Sequence, residues 1–159
     1  AAECVAPGIP FVFAPGQGMP LFNGPELLQF IAQADWAILN DYESQMLQER
    51  TGVSLDSLAA RLRALIVTQG GNGSQIYAGG QRFDIPAVPV RTVVDPTGCG
   101  DAYRAGIVYG ILNNLDWPTT GRLASLMGAV KVECAGTQNH SLNLDAARIR
   151  FREIFGYEF

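Results

Sequence analysis

The sequence of 159 residues predicts an α/β fold in a single domain, residues 1–159, built as a mostly parallel sheet with helices on both faces and an antiparallel hairpin at its edge. Three observations carry this expectation. Short apolar runs without polar alternation recur with helical patterns between them, as strands buried on both faces require. Two β-forming runs meet across Gly79-Gly80, the spacing of a hairpin. From Gly98 onward the pattern is helical throughout.

The elements follow in order. Ile9 to Phe13 is short, rich in β-formers and followed by Pro15, Gly16 and Gly18, so it reads as a buried strand ending in a loop. Asn23-Gly24-Pro25-Glu26 supplies cap and N-terminal proline for a helix in which Leu27, Leu28, Phe30 and Ile31 recur at helical spacing. Trp36 to Leu39 is a second strand, and Asn40-Asp41-Tyr42-Glu43 opens a second helix with its acids in the first turn, where the macrodipole favours them. Leu58, Leu62 and the alanines between them give a third helix running into a strand at Leu65-Ile66-Val67-Thr68. Gln75 to Tyr77 and Arg82 to Ile85 form the hairpin. Asp101 to Asn114, Thr119 to Ala135 and Asp145 to Phe155 are helices. The first of these has almost no polar face, which predicts burial at the centre of the domain.

Composition excludes several classes. With 48% hydrophobic and 16% charged residues the chain is not disordered, and no apolar run approaches the ~20 residues that span a bilayer. A net charge of -4 argues against a general nucleic-acid or anionic-membrane binder. Residues 1–60 carry one Arg against seven acids, while residues 61–159 carry ten bases against eight, so an anionic ligand is expected on the second half. Cys4, Cys99 and Cys134 are odd in number and lack C-x-x-C spacing, which suggests neither a disulfide framework nor a zinc knuckle and makes a cytoplasmic location the expectation. The single histidine, His140, reads as a surface or nucleotide-edge residue rather than part of a triad.

The densest local signal is Asp95-Pro96-Thr97-Gly98-Cys99-Gly100-Asp101, a glycine-containing loop running directly into a helix. Glycines let successive backbone N–H groups converge, and a helix N-terminus adds roughly half a positive charge, so this construction suits an anion such as phosphate. Asp101 reads commonly as a favourable carboxylate in the first turn. Beside a phosphate nest it reads also as a general base, worth about 10²–10⁴ in rate. The G-x-x-x-x-G-K-[ST] loop is excluded because the only lysine, Lys131, does not follow a glycine, and Tyr103 stands where a dinucleotide fingerprint needs its third glycine. Thr68-Gln69-Gly70-Gly71-Asn72-Gly73 follows a predicted strand at the end where open α/β sheets bind ligands, and reads equally as a turn before the hairpin. Asn40 and Glu43 form, on the structural reading favoured here, a capping box; on the functional one they orient water on Mg²⁺.

Asp95 through Gly106 resembles the second signature of the ribokinase-like (phosphofructokinase-B) kinases, D-T-x-G-A-G-D-x-F-x-x-G. Asn40-Asp41-Tyr42-Glu43 is similar to that family's N-x-x-E element, Thr68 to Gly73 to its nucleotide loop, and Gly136-Thr137-Gln138 to the segment that closes around the nucleotide base and a monovalent cation, all in the family's order. The resemblance implies a three-layer α/β/α ribokinase-like fold and an ATP-dependent kinase. It implies Asp101 as the base that deprotonates the acceptor hydroxyl and the amides of Gly98, Cys99 and Gly100 as an anion hole. Thr68, Gly70, Gly73, Gly136, Thr137 and Gln138 would line the nucleotide, and Asn40 and Glu43 would act through water on Mg²⁺, with K⁺ as a further cofactor. Cys99 replaces the family's small Ala or Gly; it reads as tolerated, or as a thiol made reactive at a helix N-terminus.

The family is about twice this length, its first-half signatures are absent, and the sequence opens at Ala1 without a Met, so the expectation is a C-terminal nucleotide-binding and catalytic portion of a larger kinase, inactive alone. Phe13-Ala14-Pro15-Gly16-Gln17 and Tyr103-Arg104-Ala105-Gly106 resemble adenosine-kinase-like and sugar-kinase members, which points to a nucleoside, adenosine first, or a furanose such as ribose as acceptor. A non-catalytic nucleotide-binding or oligomerisation module is the alternative from another class; a dinucleotide-dependent oxidoreductase is disfavoured by Tyr103. A cut sheet exposes an edge and apolar helix faces, so a homo-oligomer, or pairing with a missing N-terminal half, is expected.

Overall fold

The computed structural model describes residues 1–159, apart from the side chain of Ala2. The chain divides into two units, Ala1–Gly70 with Gln75–Asp84, and Gly71–Ser74 with Ile85–Phe159.

The first unit runs α1 (Ala2–Val5), β1 (Val12–Phe13), a 3-10 turn (Gly16–Leu21), α2 (Gly24–Gln33), β2 (Trp36–Asn40), α3 (Asp41–Thr51), α4 (Leu55–Ala59) and β3 (Ala64–Thr68). After a second 3-10 turn, Gly70–Asn72, come β4 (Ser74–Ala78) and β5 (Gln81–Ile85), and the sheet order is β1-β2-β3-β4-β5. β1, β2 and β3 are parallel, with Phe13 opposite Ala37 and Asn40 opposite Thr68. The links from β3 to β4 and across Gly79-Gly80 are far shorter than the roughly dozen residues a parallel crossover needs, so β4 and β5 run antiparallel. The expected α/β class, with a mostly parallel sheet and a hairpin edge, is borne out.

Local chemistry explains these elements. Asn23 Oδ1 accepts from Glu26 N at 3.0 Å while Glu26 Oε2 accepts from Asn23 N at 2.8 Å, a reciprocal cap that starts α2 just before Pro25. Leu27, Ile31, Leu39, Leu47, Leu58 and Leu65 form a buried core with Phe13. Two expectations are corrected. The first strand is only two residues, because Pro10 has no N–H and Phe11 N–H donates to Asp35 Oδ2 at 3.2 Å instead of extending the ladder. The third helix stops at Ala59, short of Leu62, because Arg61 N–H and Leu62 N–H bond to carbonyls three residues back and tighten the chain before β3.

The second unit contains α5 (Cys99–Leu112), α6 (Trp117–Val132) and α7 (Leu144–Phe155). Asp116 caps α6 and Asn143 caps α7, each accepting at 2.8 Å from an amide of the first turn. α5 and α6 approach closely: a Cβ on Gly106 would lie 2.5 Å from Ala124 Cα, and one on Gly110 would lie 2.4 Å from Thr120 Oγ1. Leu126 and Phe151 anchor the core, with Phe159 and Tyr157 edge-on to Phe151 at 4.9 and 5.1 Å. The expectation that α5 is buried all round is corrected. Ala102, Tyr103, Gly106, Ile107 and Gly110 are buried, but Asp101, Ala105, Val108 and Leu112 form an exposed stripe on the opposite side. Among the described residues no helix is long and apolar enough to cross a membrane.

Candidate functional site

The start of α5 is built by Gly98. It sits at φ +85°, and a Cβ there would come within 2.9 Å of Thr137 O, so both conformation and contact exclude a side chain. Ala102 N–H makes the first helical bond, to Gly98 O at 3.0 Å, leaving the preceding amides outside the helical ladder. The Cys99 amide is engaged, donating to Pro96 O at 3.1 Å. Those of Gly98 and Gly100, and that of Asp101, have no backbone or side-chain acceptor among the described residues. Three unpaired donors at the positive end of a helix of 14 residues are an arrangement able to hold an anion.

Asp101 lies one turn into α5, where a carboxylate commonly serves as a cap. It makes no cap bond; its side chain is 77% exposed and takes only the Arg104 guanidinium. An exposed pair of this kind adds little to stability, so the fold does not need this carboxylate. It is exposed in the first turn of the helix that carries these amides, with Arg104 as its one partner.

The loop is held from behind by contacts that the sequence did not reveal. Asp95 accepts Thr97 N–H on Oδ1 at 2.9 Å and Gly136 N–H on Oδ2 at 2.8 Å, and these amides, Thr97 foremost, hold its carboxyl below the ordinary carboxylate value. Lys131, fully buried, donates from Nζ to Asp95 O at 2.8 Å and to Cys134 O at 3.1 Å. Val94 and Asp95 N–H both donate to Val132 O. The Asp95–Gly98 loop and the Gly136-Thr137 segment are thereby stitched together, while Gln138 is exposed beyond them. His140 is half-buried, and its Nδ1 is a buried side-chain nitrogen without a hydrogen-bond partner. The Cys99 thiol is pushed up by burial, against the opposing pull of Lys131, which contradicts the reading of an activated thiol. Tyr103, where the resembling family has Phe, is buried with its hydroxyl 2.6 Å from Ser74 Oγ, and burial pushes its pKa up to about 12. A separate cavity of about 290 Å³, lined by apolar groups such as Tyr109, Met127, Leu142 and Phe159, contains none of the expected site residues.

In the first unit, Asn40 and Glu43 form the expected capping box: Asn40 Oδ1 accepts from Glu43 N at 2.7 Å and Glu43 Oε2 accepts from Asn40 N at 2.9 Å. The cap uses Oε2, so Glu43 keeps a second carboxylate oxygen for another donor. The β2/β3 register sets Asn40 beside Thr68, whose hydroxyl donates to Leu39 O at 3.4 Å. Among the described residues no cluster of three or more His, Cys, Asp or Glu side chains is arranged to hold a metal. Gly70, at φ +55°, has open space around it. Gly73, at φ +90°, is tightly packed: a Cβ there would sit 2.1 Å from Ile85 O.

The model of the pfkB family carbohydrate kinases matches residues 18–144. The nucleoside kinase of Methanocaldococcus jannaschii is 32% identical over 128 residues, covering 80% of this chain and 42% of that protein. The nucleoside kinase of Burkholderia thailandensis solved in complex with inosine superposes with a TM-score of 0.98 at 45% identity, covering 99% of this chain and 52% of that one. Its complex with ADP-inosine superposes at 0.96. The chain thus spans about half the length of the relatives it resembles, and the expected ribokinase-like α/β fold is shown by these likenesses.

Proposed function

The chain belongs to the pfkB family of carbohydrate kinases, and from that membership we propose that it is the nucleotide-binding and catalytic-base portion of an ATP-dependent kinase acting on a nucleoside. The observation that carries this reading is the placement of an exposed carboxylate, Asp101, held only by Arg104, beside the unpaired amides of Gly98 and Gly100 at one helix N-terminus. In the reaction Asp101 accepts the proton of an acceptor hydroxymethyl group as its oxygen attacks the γ-phosphorus of ATP. The bond from that phosphorus to the β-bridging oxygen breaks, and ADP leaves. The amides of Gly98, Gly100 and Asp101 stabilise the charge on the transferring group, joined by Cys99 only if its turn to Pro96 opens. By the family resemblance Thr68, Gly70, Gly73, Gly136, Thr137 and Gln138 are the nucleotide-binding residues, and the unpartnered Nδ1 of His140 offers a polar contact close in sequence to the last three. Mg²⁺ would neutralise phosphate charge, and Glu43, through its uncommitted oxygen, with Asn40 beside it, would hold its waters.

Kinship with a kinase solved in complex with inosine supports a purine nucleoside, adenosine or inosine, over ribose as acceptor. The acceptor pocket would come from a further stretch of chain about as long as this one, or from a second copy. Assaying the complete kinase with ATP and adenosine, inosine or ribose tests the reading. Nucleoside monophosphate should form fastest, and Asp101→Ala should lower kcat by about 10²–10⁴ without moving Tm. Transfer within a few-fold of the unsubstituted enzyme would sink it, as would bound ATP with no transfer to any acceptor, the outcome of a silent binding module.

A further inference from the structure

We propose that the ammonium group of Lys131 is a tethered monovalent cation, standing where the Gly136-Thr137-Gln138 segment would otherwise close on a potassium ion. The proposal rests on the kinase reading only for the meaning of that segment. Lys131 is the one lysine in the sequence and lies in the last turn of α6 with no exposed surface. A buried ammonium is costly unless its donors are met. Here two of its three donors are met by main-chain carbonyls, Asp95 O at 2.8 Å and Cys134 O at 3.1 Å, one on each strand of chain that the Asp95 carboxylate then ties together through Gly136. Carbonyl oxygens that converge in this way are the ligands by which a protein replaces the hydration shell of potassium. Lysine supplies the same charge at the same oxygens. Its stem passes beneath Gly98, where an added Cβ would be 3.5 Å from Lys131 Cε, so the cation is fixed directly behind the amide seat.

A free potassium ion does not fit this donor set. The two carbonyls are already taken, and a second positive charge beside a buried ammonium is repelled. The expected potassium cofactor is therefore replaced by a residue of the chain itself. Lys131 is a positioning residue: it orders the Asp95 to Gly98 loop and, with it, the amides that meet phosphate.

Thermal melts in KCl, NaCl and choline chloride at equal ionic strength test this without reference to catalysis. The unsubstituted chain should melt at the same temperature in all three salts. Lys131→Met, which keeps the stem and removes the charge, should lose several degrees in choline chloride and recover part of the loss, saturably, in KCl. A saturable rise of the unsubstituted Tm in KCl would overturn the proposal, and so would a variant whose Tm ignores the cation. If the variant does not fold, crystals of the unsubstituted protein soaked in thallium(I) decide: an anomalous peak at the Asp95 and Cys134 carbonyls overturns the proposal, and no peak there supports it. Absence of kinase activity in every salt would count against the kinase reading and leave these melts unaffected.

Discussion

Asp95 holds two amides at once, and those bonds keep its carboxyl below the ordinary value of 3.8. Because the folded value is the lower one, the bonds add stability above that ordinary value, and the contribution is lost as pH falls through the folded value. Asp95→Asn should therefore melt below the unsubstituted chain at neutral pH, with the gap closing below about pH 4 as both side chains become neutral. A gap that stays constant in acid would contradict this. The glycine loop that enters α5 at Gly98 was legible in the sequence because it is a local pattern. Lys131 was not: its carbonyl partner at Asp95 is 36 residues away, and a lysine between two valines gives no sign of it. Tyr103 was likewise opaque, since the serine that satisfies its hydroxyl lies 29 residues earlier.

Helix starts were the most readable elements, because a capping box is complete within four residues, as at Asn23-Glu26 and Asn40-Glu43. The limits of other elements were less so. The short β1 and the early stop of α4 depend on hydrogen bonds to Asp35 and on tightened turns, which composition does not reveal. α5 taught the opposite lesson, since apolar residues all round its surface suggested complete burial, yet only the face carrying Gly106 and Gly110 meets α6. That close approach makes Gly106→Val an overpacking change, expected to cost about 1–3 kcal/mol and several degrees in Tm. A Tm within a degree of the unsubstituted chain would show that α5 and α6 separate readily at this point.

Across the whole chain, negative charge gathers in the first sixty residues, while the amide seat, Lys131 and most of the arginines lie in the later part, as an anionic substrate favours. The sheet edge expected to promote association is blunted. β1 has two residues, and β5 presents Arg82 paired with Asp84 at 3.1 Å, so neither offers a long apolar edge. The most direct test of the account is single-turnover phosphoryl transfer from bound ATP to a purine nucleoside by the complete kinase, comparing the unsubstituted enzyme with Asp101→Asn. The account expects nucleotide affinity to be unchanged and the transfer step itself to slow by about 10²–10⁴, because the amide seat remains and the base is gone. Transfer at a similar rate, or a loss confined to nucleotide affinity, would contradict it.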